Sequence, residues 1–233
     1  MSNYLIEEYT NMIKEIDKSN IRIKKDTKKK LSMQFYSKGI NFDGNLMVVG
    51  RAVNGWDKEH GWNHGEFASS SPMKLVTEAY EKSLVDPLQW VINSWGHNKD
   101  VNGKLYNTAR SSFWQLSRRV LKNILPEDEW NDDTWSTKLI WSNLYKIAPT
   151  EGGNPNNTLC KYQLEYCKRI LRHEISINKP KYIIFVTGYN WFKDFKDCVP
   201  ASNDYAPRIY ASDRPEFRNI NQMAEGIINS FKL

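Results

Sequence analysis

The sequence predicts an α/β protein, a three-layer α/β/α sandwich whose central, mostly parallel sheet has four strands. Three observations predict this fold. Short, continuous apolar runs rich in β-branched residues indicate strands that are buried on both faces. Segments with apolar residues at helical spacing alternate with these runs. Two of the runs are joined by a long helical segment, which is the pattern of a βαβ unit with parallel strands and a right-handed crossover.

The first half of the chain predicts one strand and three helices. Leu5–Ile16 carries apolar residues at helical spacing. The run LMVVG at 46–50 predicts the first strand, and Pro72 suits the first turn of a second helix. Residues 90–107 are rich in Gly, Asn and Trp and predict a long loop. A third helix is expected from residue 108 until just before Pro126.

The second half predicts three more strands. Residues 139–147 form an apolar run that stops before Pro149, and a helix from about residue 158 follows it. The run YIIFVTG at 182–188 predicts the third strand, and Arg208–Ala211 a short fourth one. Apolar residues from Phe217 to Ile228 recur at helical spacing and predict the last helix.

Length and charge limit the class of protein. The 233 residues fit a single domain, with 1–44 as a helical, basic extension and 90–107 as a loop insertion. No apolar run approaches the ~20 residues that cross a bilayer, and the amino terminus lacks a signal-peptide pattern, so we expect a cytoplasmic protein without membrane contact. The net charge of +6 makes a polyanion a plausible partner. Part of that charge lies in one cluster: Lys24, Lys25, Lys28, Lys29 and Lys30.

The strand ends predict where a site lies. In parallel α/β sheets, ligands bind outside the carboxyl ends of the strands. The loops at these ends are Gly50–Asp57, Asn143–Pro149, Gly188–Trp191 and Ser212–Arg218. We therefore expect the functional residues within these four loops.

Residues 141–191, from WSNLYKIAPTEGGNPNN to YIIFVTGYNW, resemble the uracil-DNA glycosylase superfamily. They are similar to a pattern of its families 4 and 5. In that pattern a strand ending T-N-x-x-K-x-x-P leads to a Gly/Asn/Pro loop, a helix, K-P-K and an apolar strand closed by Gly. VVGRAVNGW (48–56) stands in the place of the first motif, G-E-A-P-G, and YASDRPEF (210–217) in that of the second, H-P-S. The resemblance covers roughly residues 46–218 and implies the glycosylase-like fold.

The resemblance also implies roles for individual residues. These enzymes extrude a nucleotide from DNA and read its base by hydrogen bonds and stacking. Asn143 matches the asparagine that binds the uracil edge, for which an amide supplies both a donor and an acceptor. Lys146 and Arg218 are the predicted contacts to the nucleic-acid backbone. The predicted base-binding residues are Gly50, Arg51, Ala52, Trp56, Asn143 and Asp213.

Both catalytic motifs depart from the family pattern. Arg51 replaces a catalytic glutamate, and an arginine cannot act as a general base. Asn54 could orient a water and Asp57 could accept a proton, although either could instead cap its loop. Where the family has a histidine, Asp213 and Arg214 could form a salt bridge, or Arg214 could stabilise an anionic leaving base.

No cofactor is expected. Ile147 stands where the family's iron–sulfur cluster would have one ligand, and the amino terminus lacks C-x-x-C, so we expect no cluster. His60 and His64 lack an obvious third ligand, so no metal site is expected.

Three functions stay open. One is base excision from DNA with non-standard catalytic residues. A second is non-catalytic binding of nucleic acid or a nucleotide on the same fold. The third is an enzyme acting on free nucleosides or nucleotides. A fold alone does not choose among them.

Overall fold

The computed structural model describes residues 2–19, 30–52, 59–85, 87–101, 104–199 and 204–231. In chain order, its helices and strands are α1 (Ser2–Lys18), β1 (Leu31–Met33), β2 (Ser37–Lys38), β3 (Leu46–Ala52), α2 (Met73–Ser83), α3 (Gln89–Asn93), β4 (Lys99–Val101), β5 (Lys104–Tyr106), α4 (Ser112–Ile124), β6 (Leu139–Tyr145), β7 (Ile147–Pro149), α5 (Asn157–Asn178), β8 (Tyr182–Val186), α6 (Tyr189–Phe192), β9 (Arg208–Ser212) and α7 (Ile220–Phe231).

The main sheet has five strands in the order β2-β6-β3-β8-β9. β8 runs parallel to β3 on one side and to β9 on the other, whereas the edge strand β2 is antiparallel to β6. The predicted α/β class with a mostly parallel sheet is therefore confirmed. The prediction of four strands misses β2, because its two residues, Ser37 and Lys38, are too short a run to show a pattern.

The predicted second strand ends earlier than expected. β6 stops at Tyr145, and Ile147–Pro149 forms a separate strand that pairs antiparallel with β1. At the intervening Lys146, the backbone N–H donates to the side chain of Gln163 (3.1 Å) and the carbonyl accepts from Gln34 N (3.0 Å). These two bonds replace a strand-to-strand ladder and let the chain change sheets.

The segment predicted as a long loop, residues 90–107, is largely regular. It contains most of α3 and the antiparallel pair of β4 and β5. Asn107 closes it, because its Oδ1 accepts from Gly96 N (3.2 Å) and from Ala109 N (3.0 Å). The prediction failed because the strands have three residues each, and the charged Lys99, Asp100 and Lys104 leave no continuous apolar run.

The chain divides into two compact units. The first comprises Met1–Phe35, Arg51–Val85 and Asn143–His173. In it, α1 buries an apolar face formed by Leu5, Tyr9, Met12, Ile13 and Ile16. At the end of α1, the buried carboxylate of Asp17 accepts from Trp62 Nε1 (3.2 Å) and from Phe67 N (2.8 Å), which fixes the segment before α2.

The second unit comprises Tyr36–Gly50, Asp86–Ser142 and Glu174–Leu233. Its core joins the strands β3 and β8 to the helices α4 and α7 through buried Leu46, Val48, Trp114, Leu121, Ile184 and Ile227. Trp114 contacts Trp90 and Trp141 edge-on, with ring centroids 5.5 and 5.4 Å away. These ring contacts form an aromatic cluster in the core of the second unit.

Within the described residues, no helix has both the length and the apolar character needed to cross a membrane.

Candidate functional site

The first predicted loop is described only at its start. Gly50 is buried at the end of β3, and Arg51 and Ala52 are half-buried. Asn54, Trp56 and Asp57 lie outside the described residues. Their predicted roles in stacking and catalysis stay predictions.

Asn143 lies in β6, two residues before the strand ends, and its side chain is buried at 5 % exposure. Its Nδ2 donates a hydrogen bond of 2.7 Å to Oε1 of Gln34. Among the described residues, Asn143 Oδ1 accepts no hydrogen bond. This oxygen is also not among the described buried side-chain atoms that lack a partner, so it is open to a ligand or to water.

Gln34 is the residue that sequence reasoning missed at this place. It follows β1 and is 7 % exposed. Its backbone N–H donates to the carbonyl of Lys146 (3.0 Å), and its own carbonyl accepts from the hydroxyl of Tyr9 (2.6 Å). The only local signal was the alternation of apolar and polar residues in LSMQF at 31–35, which indicates a half-buried strand.

Lys146, the predicted contact to the nucleic-acid backbone, is buried at 1 % exposure. Its contact to nucleic acid stays a prediction. The neighbouring amide of Gln163 holds the backbone here. Gln163 Oε1 accepts from the N–H groups of Lys146 and Ile147 (3.1 and 2.9 Å), and Nε2 donates to the carbonyl of Ile147 (2.9 Å).

In the second unit, the ends of β8 and β9 are tied together. The N–H of Gly188 donates to the carbonyl of Ser212 at 2.9 Å. Beyond Ser212, Asp213 pairs with Arg218 at 3.3 Å, and Arg214 pairs with Glu216. A salt bridge between Asp213 and Arg214 is therefore not formed. Both observed pairs are well exposed, and such pairs contribute only about 0–1 kcal/mol, so an incoming anion can replace either acidic partner.

Phe217, in the same loop, is fully exposed (107 %). Its φ of 64° lies in the left-handed region, where a bulky side chain is an outlier. The sequence pattern placed Phe217 on the apolar face of the last helix, but α7 begins at Ile220. The helical spacing to later apolar residues was coincidental, because Pro215 and the turn after it delay the helix start.

Within the described ranges, no group of three or more His, Cys, Asp or Glu side chains is placed so that it could hold a metal ion.

The fold and these contacts define an α/β protein with a mixed, mostly parallel five-stranded sheet packed by helices. A comparison with protein-family models finds no match for this chain, and a comparison with curated proteins finds no relative. The resemblance to uracil-DNA glycosylases therefore stays a prediction.

Proposed function

We propose that this chain acts on DNA as a uracil-DNA glycosylase-like protein. It recognises a base held outside the DNA double helix and, as an enzyme, excises that base. The buried amide of Asn143 carries the proposal. Proteins of this kind read an extruded base by hydrogen bonds to its edge. Asn143 offers such an edge an unengaged oxygen, on a side chain held by Gln34 at 2.7 Å. A surface asparagine would lack both the burial and the fixed direction.

The loop with Phe217 supports contact with DNA. Apolar side chains that insert between base steps are a recurring device of DNA-binding proteins. Phe217 is fully exposed, and Arg214 and Arg218 lie within three residues of it. Its left-handed backbone costs free energy, and such strain is common at functional sites. The net charge of +6 favours a polyanionic partner.

The finer fold belongs to the same proposal. A mostly parallel sheet packed by helices supports a three-layer α/β/α sandwich of the uracil-DNA glycosylase type. The cytoplasmic location expected from the sequence is likewise proposed, because an intracellular protein has access to DNA.

The proposed chemistry assigns no role as general base to Arg51, since a guanidinium stays protonated. Asn54 and Asp57 keep their proposed roles in positioning water and accepting a proton. The predicted role of Arg214 in stabilising an anionic leaving base stays a prediction, and its guanidinium pairs with Glu216.

A non-catalytic base-binding protein is the second candidate. Two observations favour it: Arg51 stands where an acid is needed, and Asp213 and Arg214 stand where the family has its histidine. Such a protein would bind the same DNA without releasing the base. A base-release assay separates the two candidates.

The test uses short duplexes that carry one uracil or one hypoxanthine, with gel-shift titration at low salt and a base-release assay. We expect Asn143→Ala to lose preference for the altered base by roughly 5- to 150-fold, the equivalent of the 1–3 kcal/mol for an unpaired buried group. Binding to unmodified DNA should persist, because phosphate contacts supply it.

The matched control is Asn123→Ala, which removes an exposed amide bonded only to the carbonyl of Arg119 (2.9 Å). It should leave the preference unchanged. Wild-type protein that binds no DNA at low salt would overturn the proposal. So would an Asn143→Ala variant that keeps the full preference.

A further inference from the structure

We infer that the protein binds DNA with unpaired bases more tightly than fully paired duplex, through two exposed aromatic rings at the carboxyl ends of β8 and β9. The rings are those of Tyr189 and Phe217. The inference rests on the proposed function, because it names the form of DNA that this function would use. It goes beyond that function by giving Tyr189, which has no role in the proposal above, a direct contact with DNA.

Tyr189 and Phe217 lie in loops at the same end of the main sheet. β8 and β9 run parallel, and Val186 pairs with Ser212 where both strands end. Tyr189 and Phe217 follow shortly after these two positions in the chain. The bond from Gly188 N–H to the Ser212 carbonyl (2.9 Å) holds the two loops together. Adjacent strands lie about 4.8 Å apart, so both loops leave the sheet on one short stretch of surface.

Both rings stand on a backbone that the fold holds in place. Tyr189 is 65 % exposed and begins α6, whose Phe192 packs against a buried ring of β8 with centroids 4.7 Å apart. Phe217 lies in a turn that is closed by the bond from Arg218 N to the carbonyl of buried Pro215 (3.1 Å). A side chain presented in this way loses little conformational freedom when a ligand binds to it.

The charges of the two loops balance. Residues 188–194 and 212–219 carry three cations and three acids, all of them exposed: Lys193, Arg214 and Arg218, and Asp194, Asp213 and Glu216. A duplex offers a protein surface mainly its phosphates, which a charge-balanced surface attracts only weakly. An unpaired strand also exposes the faces of its bases, on which aromatic side chains stack. This surface therefore fits unpaired bases better than paired ones.

The cost of extruding a base leads to the same conclusion. A base must leave its pair and its stack before its edge can be read, and this cost is lowest when the base is already unpaired. Stacking on Tyr189 and Phe217 would hold neighbouring bases while one base enters the site. Each stacked base is expected to raise affinity by roughly 5- to 150-fold.

Fluorescence anisotropy with two labelled probes tests the inference. One probe is a single strand with one uracil, and the other is the same strand paired with its complement. We expect the wild type to bind the single strand more tightly by roughly 5- to 150-fold, the range for one additional stacked base. Tyr189→Ala should lose most of this ratio through weaker binding of the single strand. Tyr189→Phe should retain the ratio, because the ring remains.

Tyr162→Ala is the matched control, since it removes another exposed tyrosine (36 %), which lies on α5 in the first unit. It should keep the ratio of the wild type. A wild type that binds both probes equally would overturn the inference, as would an unchanged ratio in Tyr189→Ala. If that duplex binding still favours the altered base, the proposed function stands. A preference for the single strand that depends on Tyr189 but not on uracil would support the inference and contradict the proposed function.

Photo-crosslinking gives a second readout that does not depend on affinity. Single strands that carry 5-iodouracil beside the uracil form crosslinks with aromatic rings stacked on the iodinated base. Peptide mass spectrometry should find a crosslink at Tyr189 in the wild type and in Tyr162→Ala. Crosslinks confined to other residues in the wild type would show that Tyr189 does not stack on the strand and would overturn the inference.

Discussion

Asn143 and Gln163 are both buried amides in the first compact unit, but their bonds differ. Gln163 is bonded at both ends to the backbone of Lys146 and Ile147, so it joins α5 to β7 and has a structural role. Within the described part of the chain, the Asn143 side chain makes one hydrogen bond, from Nδ2 to Gln34, and its oxygen accepts none. Burial therefore does not by itself distinguish a ligand-facing amide. The distribution of its hydrogen bonds does.

Phe217 gives the sharpest prediction at the residue scale. Phe217→Ala should leave stability within about 0.5 kcal/mol of the wild type, because the side chain buries no surface. DNA affinity should fall by about 1–3 kcal/mol, the range measured for base–aromatic stacking. Denaturant unfolding and gel-shift titration measure the two effects.

Ile40→Ala is the control for Phe217, since Ile40 is also an exposed apolar residue of the second unit (74 %). Truncation of the Ile40 side chain should change neither the stability of the protein nor its affinity for DNA. If both variants bind DNA as the wild type does, Phe217 has no part in the interaction.

Sequence reasoning reached Asn143 but not its partner. Asn143 belongs to a local pattern, a polar residue near the end of an apolar run. Gln34 lies 109 residues away, and only folding brings the two amides together. Phe217 was misassigned because helical spacing alone cannot show that a turn precedes a helix.

At the scale of elements, the edge of the main sheet depends on one glycine. Gly39 follows β2, and its N–H donates to the carbonyl of Leu139 (3.0 Å). A Cβ at this position would lie 2.0 Å from the carbonyl oxygen of Thr137, far inside contact distance. The obstacle is backbone, which cannot rotate away as a side chain would. β2 can therefore approach β6 only with glycine here.

Gly39→Ala should accordingly lower the free energy of unfolding by about 3 kcal/mol, at the upper end of overpacking effects. The same substitution at Gly226, within α7, should raise it by about 0.5–1 kcal/mol, because its nearest neighbour is the Tyr210 hydroxyl at 3.9 Å and alanine favours helix. Chemical denaturation measures both. A Gly39→Ala protein as stable as the wild type would show that the edge strand β2 can move away from β6 without loss of stability.

The long elements were predictable and the short ones were not. α1, α4, α5, β3 and β8 each carry enough residues to show a period or a continuous apolar run. β1, β2 and β7 have three residues or fewer and are stabilised by pairing with distant strands. Such pairing leaves no local pattern, which explains why the sheet change at Lys146 was missed.

At the scale of the whole molecule, the positive charge gives a test that is independent of any single site. The net charge of +6 should make DNA binding strongly dependent on salt. Neutralising only two phosphates makes affinity fall about tenfold between about 50 and about 200 mM salt. Gel-shift or anisotropy titrations over that range measure the slope. Binding that does not change with salt would contradict phosphate contact and favour a small uncharged ligand.

Each compact unit is assembled from three separate stretches of chain, and this affects how the protein is made. The first unit lacks its last stretch, Asn143–His173, until most of the chain has left the ribosome. Before that point α1 cannot pack against α5. The ion pair of Glu8 with Arg169 and the contact of Met12 with Cys167 therefore form only later. The apolar face of α1 is synthesised first but is covered late, so newly synthesised chains should depend on chaperones that shield α1. Because both units are discontinuous, no single cut of the chain yields either unit intact.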